Sequence, residues 1–213
     1  MTESSVHAVA AAVPAPGAAA APLPGDGAAT DLLARAIAHV LPLVTHDLRN
    51  GVGVVGVQLE ALELRALAAV PDHEAIRRHG AGAASGIELV AAQLDALSAF
   101  ARSDAGDLAT IVAEAVALVP LRRLAIGAAD AGATCLAPAL LRAAVLELLV
   151  AAATVAASLT ISVTRRDDVL ELAITGDRPL GYPLAAEWLV HLDRAGARVH
   201  LRDDALVLSC PPA

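Results

Sequence analysis

A histidine followed at once by a carboxylate, and four residues later by a carboxamide, forms the most chemically suggestive cluster in the chain: Thr45-His46-Asp47-Leu48-Arg49-Asn50. A neutral imidazole nitrogen is a good nucleophile near neutral pH. A neighbouring carboxylate can accept a hydrogen bond from the other ring nitrogen, which fixes the tautomer and supports the imidazolium that develops. Arg49 can offset charge on a transferring group, and Asn50 can place a water or a phosphoryl oxygen. His46, Asp47, Arg49 and Asn50 together suit phosphoryl transfer to and from a histidine.

The pattern places this cluster on a helix. Leu41, Val44, Leu48, Val52, Val55, Leu59 and Leu62 recur at spacings of three and four, the seam of a helical bundle. At about 100° per residue His46 sits roughly 160° from the centre of that stripe, facing solvent, with Asn50 and Arg49 one turn on. The helical pattern starts at a Thr30-Asp31 N-cap and runs to about Val70. Pro71-Asp72 marks a turn, and a second helical pattern runs from His73 to about Ser103. That second pattern offers Ile76, Ala83, Ile87, Val90, Leu94 and Leu97 as its apolar side. Two long helices with a short connection pack as an antiparallel hairpin. A lone hairpin buries little, so the pattern predicts a homodimer built as a four-helix bundle.

The stretch from Ser103 to Asp107 reads as a linker. Beyond it the period predicts helices over Leu108–Leu121, Pro138–Ala157 and Pro183–Ala195, the last ended by Gly196. Strands are expected over Leu159–Arg165 and Val169–Thr175, joined by a turn at Arg166–Asp168. A last hairpin, Ala197–Arg202 with Ala205–Cys210, turns at Asp203-Asp204. The fold class is therefore α+β with a mainly antiparallel sheet. The expected organisation is a tail over 1–28, a helical hairpin over 29–104 and a mixed domain over 105–213. No internal repeat is present.

Composition narrows the function. The chain carries a net charge of −8 over 213 residues, and every cationic side chain is arginine. An acidic chain without a basic stripe argues against nucleic acid, since phosphate binding needs clustered cations. Cys135 and Cys210 are far apart and make neither a CxxC nor a disulfide framework. The longest apolar run, around Val145–Ala157, is short for a membrane span and is broken by Glu147. The N-terminal stretch is interrupted by Pro14, Pro16, Pro22 and Pro24 and has no cation before its apolar part, so it reads as a flexible tail and not a targeting signal. A cytoplasmic protein is expected. His73 and His79 near the hairpin turn lack further ligands, so no metal site is expected, and His39 reads as a surface residue.

LVTHDLRNGVGVV resembles the phospho-accepting box of histidine kinase dimerisation and phosphotransfer domains. By that resemblance His46 is the phospho-acceptor, Asp47 the acid beside it, and Asn50 the polar residue linked to phosphatase activity. Gly51 stands where the family often has proline, and keeps a weak point in the helix. The second half resembles the ATP-binding domain of the same kinases in its order of helix, strand, turn, strand and acidic loop. Its catalytic parts are missing. Asn50 is the only asparagine in the chain and there is no lysine. Asp177, in Asp177-Arg-Pro179-Leu-Gly181, stands near the adenine-reading position, but Pro179 replaces a glycine and little chain remains for a lid or a phosphate loop. Asp177 and Gly181 therefore read as turn residues.

A phosphotransfer hairpin joined to a degenerate ATPase-like domain resembles the ChpT-type histidine phosphotransferases. The resemblance implies a phosphorelay role in which His46 exchanges phosphoryl groups with aspartates of response-regulator receiver domains. It implies no bound nucleotide or other cofactor, and Mg²⁺ supplied by the receiver. A non-catalytic kinase-like interaction protein, or a receiver-domain phosphatase using Asn50, are the alternatives.

Overall fold

The computed structural model describes residues 26–119, 123–129, 132–166, 168–181 and 186–213. Most of the stretch read as a tail lies outside them, as do the expected helix end at Leu121, part of the Arg166–Asp168 turn and the start of the Pro183 helix.

Two long helices open the fold: α1 (Asp26–Ala66) and α2 (His73–Arg102). The first begins ahead of the expected Thr30-Asp31 cap and stops before Val70, where residues 67–70 form bends. Packing explains both ends. Ala29, Leu32 and Ala36 are buried, so tertiary contact carries the helix past the local capping signal. Leu67 and Val70 have apolar side chains that are 76% and 85% exposed; with nothing to bury them, the periodic pattern does not become helix. At the start of α2 the Asp72 carboxylate accepts hydrogen bonds from the Glu74 and Ala75 backbone N–H groups at 3.1 and 3.0 Å.

The hairpin seam is closed by glycine on both helices. A Cβ on Gly86 would stand 2.6 Å from Val55 Cγ2, and one on Gly51 would stand 2.9 Å from Val90 Cγ2. Gly51 is buried in this seam, so close helix approach explains it better than the weak point expected from the sequence. Farther along, His79 Nδ1 lies 2.7 Å from Gln58 Oε1.

The apolar stripe of α1 serves two neighbours. Val44 is buried, and Leu48, Val55 and Leu62 are half-buried, while Leu41, Val52 and Leu59 are exposed. On α2, Ala83 is buried and Ile76, Val90 and Leu97 are half-buried, but Ile87 and Leu94 are exposed. At about 100° per residue the exposed members of each helix fall within roughly 20° of one another, giving each a second apolar line beside the seam.

The remaining elements are α3 (Leu108–Val116), β1 (Arg123–Ala129), α4 (Pro138–Val155), β2 (Ser158–Arg166), β3 (Val169–Gly176), α5 (Ala186–Arg194), β4 (Arg198–Arg202) and β5 (Ala205–Cys210). The strands form one sheet in the order β1-β2-β3-β5-β4. The fold is α+β, as the sequence predicts: long helices followed by a sheet. Three of its four strand pairings are antiparallel and β1–β2 is parallel. The β1 strand is absent from the sequence-based reading. Its residues, RLAIGAA, are rich in alanine and glycine, which carry little strand signal. The β4–β5 turn is where the sequence places it, with Asp203 and Asp204 at φ 50° and 63°, the pair of positive values that a tight hairpin turn requires.

Helix α4 is the centre of the molecule. Leu140, Leu141, Val145, Leu146, Leu148 and Leu149 are at most 1% exposed, and α4 is packed by α1, α3 and the sheet. Burial of most of its length suits a helix with apolar residues on nearly every side. Both α4 and residues 27–66 are long and apolar enough to cross a membrane; for α4, burial accounts for that composition. Ala29, Leu32, Ala36, Val40 and Val44 of α1, with Phe100 of α2, belong to the same core as α4 and the sheet. Packing therefore crosses the linker. Arg142 of α4 adds to the junction: its guanidinium stacks 4.5 Å from the Phe100 ring centroid, and its Nη1 donates to the Ser103 carbonyl. Burial lowers the pKa of this side chain, against the opposing fields of Glu114 and Asp104.

Candidate functional site

His46 lies on α1 just past Val44, the last residue of that helix buried in the common core. Its side chain is 73% exposed, so the helix displays the imidazole as its position on the wheel predicts. Three of the four residues singled out in the sequence meet there. Asp47 Oδ1 and Asn50 Nδ2 each lie 3.2 Å from His46 Nδ1. The same Asn50 nitrogen lies 3.5 Å from Nε2. The Asp47 contact is to Nδ1, while the Asn50 amide nitrogen lies near both ring nitrogens. Arg49 is exposed and makes no hydrogen bond or ion pair with a described residue, so it borders the site without yet engaging it.

Two open grooves flank the ring. One, of about 410 Å³, is lined by Ala38, Leu41, Pro42, Thr45, His46 and Arg49. The other, of about 520 Å³, is lined by Arg49, Asn50, Gly53, Val54, Val57 and Gln58. Arg49 is common to both, which puts a cationic side chain between them. Gly53 and Gly56 carry nothing on this side: a Cβ at either would meet open space. Val54 and Val57 are 52% and 64% exposed, giving the face below His46 an apolar character.

Pro42 is a feature the sequence reading passed over. It stands inside α1, one turn before His46. Proline has no N–H to give, so the Ala38 carbonyl loses its usual helical donor; Ala38 and Pro42 both line the first groove. The signal was visible: a proline four residues ahead of a displayed histidine, within an unbroken helical pattern.

His39 lies at the surface, as the sequence reading expects, and the structure adds a partner from another helix. Its ring is 63% exposed, yet Nδ1 lies 2.6 Å from Glu147 Oε1, whose side chain is only 12% exposed on α4. Sequence periodicity put His39 and His46 on one face, but had no means to show that α4 passes beneath the first of them.

Asp177 is a turn residue. Its Oδ1 accepts from the Ala157 and Ser158 backbone N–H groups at 3.0 and 3.4 Å, tying the end of β3 to the start of β2. The nearby groove, about 280 Å³, is lined by Ala151, Ala152, Thr154, Val155, Leu180, Gly181 and Leu206. Among the described residues no charged or carboxamide side chain lines this groove. Among the described residues no group of three or more histidine, cysteine or carboxylate side chains is gathered as for a metal ion.

No family model matches the sequence, and no curated protein matches it. Several solved structures are similar in shape. The Acinetobacter baumannii histidine kinase AdeS overlaps at a TM-score of 0.39 with 12% identity, covering 78% of this chain and 97% of that one. A bacterial phosphotransferase overlaps at 0.38 with 15% identity, covering 89% of this chain and 98% of that one. Overlap this loose leaves the chemistry to be argued from the residues themselves.

Proposed function

We propose that the chain is a histidine phosphotransfer protein, which takes a phosphoryl group onto His46 from an aspartyl phosphate of one receiver domain and passes it to another. The observation that carries this is the arrangement at the ring: an imidazole 73% exposed, with a carboxylate oxygen 3.2 Å from its Nδ1. Such a histidine needs no nucleotide and no metal of its own, because the receiver brings Mg²⁺ and the acyl phosphate. Asp47 orients the ring and balances the imidazolium charge; Arg49, between the two grooves, is placed to meet phosphoryl oxygens. The exposed lines Leu41, Val52, Leu59 and Ile87, Leu94 are read as the seam of a homodimer. The proposed setting is the cytoplasm, with no nucleic-acid or membrane partner.

The test is rapid-quench transfer from a panel of phosphorylated receivers. Wild type should gain an acid-labile label and His46→Ala should gain none while still binding the receiver. Asp47→Asn should lose on the order of 10²-fold in rate, the scale of an acid–base partner. Label on the His46→Ala protein would remove the site assignment. Asn50 supports a second reading, a receiver phosphatase, since its amide reaches the ring; loss of receiver phosphate to water without label on His46 would favour it.

A further inference from the structure

Arg142 is a charged side chain on an otherwise apolar helix, and its bonding is incomplete. It is 3% exposed and, with Glu147, one of the two charged residues of α4. A guanidinium carries five N–H donors in a planar fork. Nη1 donates to the Ser103 carbonyl, and one face lies on Phe100. Nε and Nη2, which share one edge of the fork, are buried and have no hydrogen-bond partner among the described residues. An oxygen on α3 is in the same condition: Glu114 Oε2 is buried and unpartnered. Glu114 is also the acid that does most to oppose the fall in the Arg142 pKa, ahead of Asp104. The two opposite charges lie within each other's field, each with bonding capacity left over. Burying a charged donor edge and an acceptor unpaired is costly.

We infer that Arg142 is a lock between the two halves of the chain, and that Glu114 sets it. The Glu114 carboxylate takes the free Nε–Nη2 edge as two parallel hydrogen bonds, the arrangement that a guanidinium edge and a carboxylate match. That pairing holds the guanidinium plane on Phe100 and keeps Nη1 on the Ser103 carbonyl. In the geometry described here the edge is open, so the junction has two states, open and set, that differ by one carboxylate. The inference goes beyond the phosphotransfer reading and does not depend on it.

Ser103 is the point where the lock acts. It is the C-cap of α2: its N–H donates to the Ala99 carbonyl, and its Oγ accepts from the Ala105 N–H. Its carbonyl is where Arg142 ties the end of the hairpin to α4. The packing of α1 on α4 is made of alanine, leucine and valine, and apolar contact has no direction of its own. A planar cation stacked on a ring and bonded on both edges does have direction. The apolar core therefore holds the halves together, and Arg142 fixes the path of the chain as it leaves α2.

Native-state hydrogen exchange on the full chain tests this, with the Ser103 and Ala105 amides read against those of α4. Arg142→Met keeps an apolar contact with Phe100 but loses every donor. It should speed exchange at Ser103 and Ala105 by about 10-fold or more, the population effect of one hydrogen bond to a charged group. The α4 amides should not accelerate, since an apolar side chain suits that helix. Glu114→Gln keeps the shape, removes the charge and should speed the same two amides by about 3-fold or more. In an Arg142→Met background Glu114→Gln should add nothing. Arg142→Lys keeps a charge without the planar fork and should not restore wild-type exchange. Unchanged exchange at Ser103 and Ala105 in Arg142→Met would overturn the lock. So would equal acceleration in α4, because the variant would then only loosen the core. Additive effects of the two substitutions would remove Glu114 from the lock, and wild-type protection in Arg142→Lys would show that charge alone suffices; either result overturns the proposal. If Arg142→Met does not fold, Glu114→Gln decides by itself: unchanged exchange at Ser103 and Ala105 defeats the proposal.

Discussion

The two halves of α1 live in different surroundings. From Ala29 to Val44 the helix lies in the common core beside α4, with five positions at 4% exposure or less. From Val52 onward it packs mainly on α2, and Val52, Val54, Val57, Leu59 and Leu64 are all more than half exposed. His46 stands at the boundary. One continuous helix therefore holds the proposed phospho-acceptor from one side while leaving the other side exposed. A nucleophile needs fixed geometry and also needs access; a helix anchored over half its length provides both.

The sharpest way to break this comparison is to put the same charge into each half. Val40→Asp would bury an unpaired carboxylate at a fully enclosed site and should cost at least about 3 kcal/mol of stability. Val57→Asp sits 64% exposed and should change stability by no more than about 0.5 kcal/mol. Urea unfolding of both variants decides it; equal losses would show that the lower half is as much a part of the core as the upper.

A smaller effect is expected at the exposed line. If Leu41, Val52 and Leu59 are covered by a second copy, Val52→Glu places two charges across a symmetric seam. The dimer should weaken by about 100-fold or more, with the monomer still helical. Light scattering against concentration and circular dichroism give the two readouts. A wild-type chain that stays monomeric at tens of micromolar would leave these apolar side chains unexplained.

The legibility of the sequence follows the same division. The hairpin was readable because periodicity and the Pro71-Asp72 turn are local signals, and the display of His46 followed from its angle to the stripe. The contact of His46 with Asp47 and Asn50 was readable too, since neighbours at one and four residues must lie close on a helix. What could not be read was long-range. The burial of Ala29–Val44 depends on α4, a hundred residues on, and so does the His39–Glu147 contact. The β1 strand is made by its parallel neighbour β2 and not by its own residues. Gly51 was seen as a local weakness because only the partner helix reveals Val90 against it.

The linker that joins the halves offers a pH-dependent test. Asp107 caps α3 by accepting from the Thr110 N–H and hydroxyl at 2.8 and 2.6 Å, and from Gly132 N–H at 2.9 Å. Burial alone would raise its pKa, but these hydrogen bonds together hold it below the ordinary 3.8. A carboxylate with a lowered folded pKa adds stability that is fully present above 3.8 and is lost as pH falls through the folded value. Asp107→Ala should cost about 1 kcal/mol at neutral pH, the usual effect of losing an N-cap. Its deficit relative to wild type should shrink as the pH falls below 3.8. A deficit that stays constant down to the acid transition would mean that the charge of Asp107 is not what holds the cap.

The finest distinction is between two histidines on the same face. His39 and His46 are seven residues apart, about 20° off on the helix wheel, yet one is tied to α4 and the other is not. The His39–Glu147 pair is short, at 2.6 Å, but the ring is 63% exposed, so solvent screens it and its net value should be no more than about 0.5 kcal/mol. His39→Ala should show that loss, and the loss should vanish in a Glu147→Gln background, because the partner charge is gone. His46→Ala should cost nothing measurable in either background, as its partners lie on its own helix and are exposed to solvent. Small differences of this kind call for thermal and denaturant unfolding of the full double-mutant cycle. If His46→Ala destabilises as much as His39→Ala, both histidines are structural anchors, and a displayed nucleophile at the edge of the core is the wrong description of the site.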